Sequence, residues 1–444
     1  MDVTLSSLPA IEQPWMQKVL QNSGFITQIA DTIEGPFHLV EPETFAHNLN
    51  NFEDILQKHQ VKGHVFYAKK ANKAAIWLKV AALFNGFADV ASLPEFAHAL
   101  ACGIKGNHIG VTGAAKSNDL LRLANQHGAL VAIDALDELE RAIAIAEVTQ
   151  PMRILLRVLP PEFPDSRFGL NPTDLQMALQ KCADNRHLVT MEGFSFHLDG
   201  YEVHPRAKLG FQLIKQCLEA RQHGLAAHSI SIGGGFACAY TTEDHWDSFQ
   251  ANLNPGQFHG HKSFAKFYPY HQAPTGAAML DAILESSEDE QSFARALNQA
   301  GISLLMEPGR ALLHSAGLSV FPVQGFKQND AHGIITVAGL SMSLSEQWKG
   351  SEFLPDPYLV QRGAEREQKP VLACIGGSSC MEYDMLSWRK LSFPARPRYG
   401  DLIIYPNTAG YQMDKNESTF HQLALPPKII VWQNENNLEW SIDE

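Results

Sequence analysis

One rhythm constrains this chain more than any other feature. From about residue 60, a short apolar or β-branched run ends in small or polar residues, and an amphipathic segment follows, eight times over. The runs are HVFYA (64–68), GFADVAS (86–92), HIGVTG (108–113), LVAIDA (130–135), ILLRVL (154–159), GFSFHL (193–198), SISIGGG (229–235) and SLLMEPGR (303–310). Between them stand helix-like stretches such as NKAAIWLKVAALF, PEFAHALACG, SNDLLRLANQHG and DELERAIAIAEV. Several of these open on Asn, Ser, Pro or Asp and close on Gly, as helix ends do. Strands that alternate with helices predict a parallel sheet, and eight of them predict a closed (β/α)8 barrel. Chemistry in such barrels collects at the C-terminal ends of the strands. Those ends carry, in order, Lys70, Asp89, Thr112, Asp134, Arg157, His197, the triplet Gly233-Gly234-Gly235, and Glu307 with Arg310, which should ring one mouth.

After about residue 312 the rhythm changes. SVFPVQGF, GIITVAGL, PVLACIGG, DLIIYP, KIIVWQ and LEWSI read as strands joined by turns, with little helix. The opening segment GFITQIADTIEGPFHLV also reads as strand. The expected organisation is a barrel over 46–311 and a discontinuous β domain, sandwich or barrel, from 1–45 and 312–444.

Composition removes several classes of function. The net charge is −13 with no basic stripe, so phosphate neutralisation, and with it nucleic-acid binding, is not expected. Six scattered cysteines without a CxxC pair suit free thiols in a reducing compartment. No apolar stretch approaches the ~20 residues of a membrane helix. The N-terminus has no signal-peptide pattern, and the expectation is a cytoplasmic enzyme.

FYAKKANKA (66–74) follows the first barrel strand. A lysine in a barrel mouth is costly to bury unpaired, and desolvation should lower its pKa as a Schiff-base amine requires. By itself such a lysine is more often a solvated loop residue. The order Lys, Asp-Val-Ala-Ser, His, Gly-Gly-Gly, Glu-Pro-Gly-Arg, Cys, Gly-Tyr resembles the fold-type III pyridoxal-phosphate decarboxylases, namely those of diaminopimelate, ornithine and arginine. The resemblance runs from GPFHLVEPETFAHNL through YAKKAN, GFADVASLPEFAHAL, GAAKSNDLLRLA, GFSFHLDGY, SIGGGF, MEPGR and CMEYDML to NTAGYQM.

The resemblance implies a homodimer with shared active sites, pyridoxal 5′-phosphate as cofactor and a small amino-acid substrate. Lys70, rather than Lys69, becomes the Schiff-base lysine. Glu307 becomes the partner of the pyridine nitrogen and His197 the imidazole stacked on the ring. Gly233, Gly234, Gly235, Gly309, Arg310 and Tyr411 become the phosphate surroundings, with Arg310 also able to receive a carboxylate. Asp89 and Arg157 match positions lining the lysine and the ring oxygen. Cys380, contributed across the dimer interface, would reprotonate the carbanion, while Glu382 and Asp384 would meet the far end of the substrate.

Three stretches depart from the family pattern. Gly200 stands in HLDGY where a serine contacts phosphate, Met381 rather than glutamate follows the cysteine, and AGLSMSLSEQW lacks the family's Arg-Pro-x-Leu-Tyr. The segment 240–290 is long and rich in aromatics and histidine, and is expected to form a lid. His259 and His261 in it are a weak metal signal, since two residues apart and without a third ligand they do not define a site, so no metal is expected. The leading expectation is α-decarboxylation of an amino acid with a polar or basic distal group (diaminopimelate-, ornithine- or lysine-like, or a siderophore precursor). The alternatives are a racemase on the same fold, using Lys70 and either Cys380 or Tyr383 on opposite ring faces, and a non-catalytic relative that regulates another enzyme. A metal-dependent barrel hydrolase is disfavoured, because the first strand carries YAKK and no His-x-His.

Overall fold

The computed structural model describes residues 5–444 except 330, 346–349, 365 and 436. All eight expected runs form strands: β2 (Gly63–Ala68), β3 (Phe87–Val90), β4 (Ile109–Val111), β5 (Leu130–Ile133), β6 (Met152–Arg157), β7 (Val189–Ser195), β8 (Ser229–Ser231) and β11 (Ser303–Met306). Every neighbouring pair is parallel, and β11 closes the barrel by pairing with both β8 and β2. Phe66, Leu130, Leu155 and Leu305, with Phe87 packed against them, fill the lower interior as a small cluster of their own, so the barrel is a packed core rather than a pore.

The helices between the strands bury one apolar face. Asn118–Gln126 buries Leu120, Leu121 and Ala124, and its N-terminal amides are capped by the Ser117 side chain, which accepts from Leu120 N. Leu93–Ala101 is capped in the same way by Ser92. A cap of this kind contributes ~1 kcal/mol and sets where the helix begins.

The second sheet is built from both ends of the chain. β1 (Phe37–Val40) lies between β12 (Gly317–Gln328), to which it is antiparallel, and β18 (Lys428–Asn434), to which it is parallel. β13 (Gly333–Val337), β15 (Val371–Gly376) and β16 (Met385–Phe393) extend one side, and β19 (Asn437–Ile442) ends the other. β14 (Tyr358–Val360) joins through β17 (Leu402–Pro406), which pairs with β12. The short hairpin β9 (Ser287–Glu288) and β10 (Gln291–Ser292) stands apart.

Two local readings are corrected. GFITQIADTIEG is a helix, Ser23–Ile33, and only FHLV after it is strand. Its buried residues Phe25, Ile26, Ile29 and Ala30 follow a helical rather than an alternating period, and the Asn22 side chain accepts from Phe25 N. That face covers Phe37, Leu39, Leu318 and Val320 of the sheet. The nine-residue strand β16 was not expected, because Ser387 and Arg389 occupy buried positions and disguise the alternation. The terminal nitrogens of Arg389 donate there to Ser6 O, Leu354 O and Asp356.

The segment 240–290 is a wall rather than a detachable lid. Tyr240, Trp246, Phe249, Phe258, Tyr268 and Tyr270 are buried in the main core, and Phe258 bridges to Arg389 of β16. Among the described residues, no helix is long and apolar enough to cross a membrane. All six cysteines are free thiols.

Candidate active site

The C-terminal ends of the barrel strands converge as their order in the sequence demands. β2 runs directly into a single 3-10 turn, Lys69–Ala71, that splits the two lysines. Lys69 is buried and donates to the Asn72 carbonyl at 3.1 Å, outside the cavity; burial pulls its amine down to about 8. Lys70 lines the cavity, with Nζ 3.5 Å from Asp89 Oδ2. The expectation of a depressed Lys70 pKa is corrected. Burial does work to lower it, but Asp89, then Tyr411 and Glu307, outweigh burial and hold the amine above the ordinary lysine range. Asp89 is itself oriented by Thr112 Oγ1, which donates to its other oxygen at 2.6 Å.

Glu307 faces Lys70 from the residue just after β11. Ser231 Oγ donates to Glu307 Oε1 at 2.7 Å, and Glu307 N donates to Gly233 O at 3.0 Å. Burial first, then the neighbouring Asp89, pushes its carboxyl up to about 7. His197 is pulled down to about 3 by burial and by the charges of Lys70, Arg157 and Arg206, so its imidazole is neutral. The Gly234 N–H points at Nδ1 from 3.3 Å, which assigns the ring proton to Nε2.

The glycines fit a bound phosphate. Gly233 has φ +66°, and a Cβ there would lie 2.6 Å from Phe196 O and 2.8 Å from His197 Nδ1. A Cβ on Gly309 would meet Ala71 Cβ at 2.9 Å and Tyr411 Oη at 3.0 Å. A backbone that passes this closely can turn N–H groups to an anion once those of Gly233 and Gly234 release Ser231 Oγ and His197 Nδ1, to which they donate here at 3.2 and 3.3 Å. Tyr411 is held at φ +78°, a costly conformation for a tyrosine, by its N–H bond to Ala71 O at 2.8 Å. Arg310 lies 5.1 Å from its ring centroid and 4.2 Å from that of Tyr268, and donates to Tyr240 Oη at 2.9 Å. The cavity enclosed by these groups is about 250 Å³ and also touches Gly235, Tyr201 and Lys415.

Arg157 is turned toward Asp134, 3.2 Å away, at the rim of the mouth. Three residues of the site were not singled out in the sequence. Ser231 was legible as the second inward position of SIS, two residues before the triplet. Arg206 is fully buried behind the triplet and donates to Gly234 O at 3.0 Å, but an arginine in a long helix carries no such signal. Tyr201 lies beyond the strand ends that drew attention.

Cys380, Glu382 and Tyr383 are not brought to this cavity. They form an exposed turn between β15 and β16, where Cys380 N donates to His421 Nε2 at 3.2 Å. Asp384, expected to meet a substrate amine, has a buried carboxylate that accepts from Ser341 N at 2.8 Å and Ser379 N at 3.1 Å within its own turn. Of the departing stretch AGLSMSLSEQW, residues 346–348 lie outside the described residues. A larger cavity of about 910 Å³ opens at the opposite end of the barrel, where His64 and His108 stack on either face of Phe87. It holds none of the strand-end groups.

A parallel eight-stranded barrel with a lysine, a carboxylate and a glycine cradle at its mouth, joined to a sheet made from both chain ends, defines a pyridoxal-phosphate enzyme of fold-type III. Residues 44–257 match the family model "Pyridoxal-dependent decarboxylase, pyridoxal binding domain". The uncharacterized protein y4yA of Sinorhizobium fredii is 34% identical over 401 residues, covering 89% of this chain and 87% of that protein. The diaminopimelate decarboxylase of Actinosynnema pretiosum is 24% identical over 429 residues, covering 91% and 86%. The crystal structure of diaminopimelate decarboxylase from M. jannaschii in complex with L-lysine superimposes with a TM-score of 0.74 at 16% identity, covering 94% of this chain and 91% of that one. The chain belongs to the fold-type III pyridoxal-phosphate-dependent decarboxylases, as a divergent member. The family's cofactor is pyridoxal phosphate.

Proposed function

We propose that this protein α-decarboxylates an amino acid whose far end is polar or basic, with Lys70 as the amine that carries the cofactor. The observation that carries this reading is the meeting of Lys70, His197, Glu307, Gly234 and Gly235 around one cavity, with Asp89 set against Lys70. When bound, pyridoxal phosphate supplies an aldehyde for the substrate amine and a ring that takes up the electron pair left by CO2. Asp89, against the Lys70 ammonium, is placed to accept the proton that the amine must lose before it can act as a nucleophile. Glu307 keeps a proton available on its side of the cavity near neutral pH, where a ring nitrogen would need one. His197 offers a flat, uncharged face for stacking. Gly233, Gly234, Gly235, Arg310 and Tyr411 would hold the phosphate, and with Gly200 in place of the family's serine the backbone has more of that work.

Cys380 is exposed and is not among the residues lining its own chain's cavity, which suits delivery to the mouth of a second copy. There its thiol would return a proton to the carbon that lost CO2, and the exposed Glu382 would face the distal group. Free thiols throughout the chain suit a reducing, cytoplasmic setting.

The test is a screen of L- and D-amino acids, with carboxylated siderophore precursors included, for CO2 release by the purified protein. Wild type should be yellow, bleach with borohydride and release CO2 from one substrate class, whereas Lys70→Ala should do none of these. Inversion of configuration without CO2 would favour a racemase. A colourless wild type with neither activity would sink the reading.

A further inference from the structure

The fold supplies what the HGH triplet lacks in sequence. His259 sits in the short turn His259–His261 of the wall segment, and Phe258 just before it bridges to Arg389 of β16. Two residues from distant parts of the chain meet it there. His332 comes from the turn just before β13, and Cys374 from the middle of β15. One donor atom from each of the three lies within 4.8 Å of the others. His259 Nδ1 and His332 Nε2 face each other at 3.0 Å. The other nitrogen of His332, Nδ1, is buried and has no hydrogen-bond partner. Cys374 is fully buried; its thiol donates to Trp388 O at 3.2 Å and is met by the backbone of His259. His261, by contrast, contributes nothing to the cluster.

We propose that His259, His332 and Cys374 form a three-ligand site for a zinc-like divalent cation that fastens the wall of the active-site cavity to the sheet. Two imidazoles and one thiol are the donor set that borderline-soft Zn2+ takes, with a fourth position left to water. Two imidazoles set nitrogen to nitrogen share one proton at best, and a cation replaces that contact with two bonds. On binding, the Cys374 thiol gives its proton to solvent and the sulfur bonds the metal as thiolate, so that atoms and charge balance. The nearest ammonium groups are engaged elsewhere: Lys262 lies over the Trp388 ring at 4.4 Å and Lys390 donates to Gly256 O at 2.7 Å. The second triad of this kind, His59, Asp281 and Glu285, differs in that Lys58 already bridges both of its carboxylates.

The consequence would reach the chemistry by way of the wall. The segment that carries His259 also carries Tyr240 and Tyr268, both against Arg310 of the cavity. The site does not depend on the proposed reaction and can be tested without it. Co2+ is titrated into the metal-stripped full-length protein, and visible absorption is followed together with bound metal per chain. The expected result is one Co2+ per chain with a thiolate-to-cobalt band in wild type. That band should be absent in Cys374→Ser, and binding should fall ~10-fold or more in His259→Asn. The proposal is overturned if wild type binds no Co2+, if the band survives Cys374→Ser, or if it disappears in Cys380→Ser instead. The wild-type titration alone decides the matter should a variant fail to fold.

Discussion

Two adjacent lysines at the end of β2 show how one residue of displacement decides chemistry. The turn Lys69–Ala71 buries one amine among backbone carbonyls and delivers the other to Asp89. The carboxylate opposite, Glu307, has a raised folded-state value of about 7, above the ordinary 4.5. A carboxyl raised on folding stabilises the native state fully below its unfolded value, and that contribution is lost as pH climbs through its folded value. In cofactor-free protein, Glu307→Gln should therefore reduce the loss of stability between about pH 5 and about pH 8. Urea midpoints of variant and wild type at the two pH values measure this, and parallel shifts would refute it. In the cofactor-loaded enzyme the same substitution should lower kcat by roughly 10²-fold, because a neutral amide cannot hold a proton on the ring nitrogen.

At the scale of elements, the barrel positions its chemistry through short strand-to-helix connections, and the loop after β8 is the most demanding of them. Gly233 is fixed in a left-handed conformation against the carbonyl of Phe196. Gly233→Ala should cost roughly 1–3 kcal/mol of stability from backbone strain. On the proposed reading it should also weaken cofactor binding by ~10-fold or more, since the loop would have to move away from the phosphate. Fluorescence titration with pyridoxal phosphate and urea unfolding separate the two effects; an alanine variant with unchanged cofactor affinity would mean that the phosphate is held elsewhere.

The whole molecule places Cys380 on an exposed turn of the sheet and Lys70 in the barrel mouth, with no contact between them inside one chain. If the two halves of the chemistry come from different copies, then inactive Lys70→Ala and Cys380→Ala proteins should complement each other on mixing. Random reassortment makes half of the dimers mixed, each with one intact site, so activity should recover to about a quarter of wild type. No recovery after exchange, confirmed by tagged pull-down of mixed dimers, would place Cys380 outside the reaction.

How much of this was legible in the chain differs between neighbouring features. All eight barrel strands and the ring of residues at their ends could be read, because each buried strand is a short apolar run with its polar group at a fixed end. Ser23–Ile33 was misread as strand and β16 went unseen. The apolar and polar residues of SGFITQIADTI fit either period over so short a run, and a strand with a buried arginine loses its alternation. The direction of the Lys70 shift is not legible in the chain, since desolvation is implied by position whereas the compensating carboxylates, Asp89 on β3 and Glu307 just after β11, are contacts. Periodicity is local and survives in one dimension; partnership is not local. The amino-acid order thus determined the barrel and the residues at its strand ends, with Lys70 and the glycine triplet among them. Only the tertiary structure could bring His332 and Cys374 to His259, bury Arg206 behind Gly234, and leave Cys380 on an exposed turn.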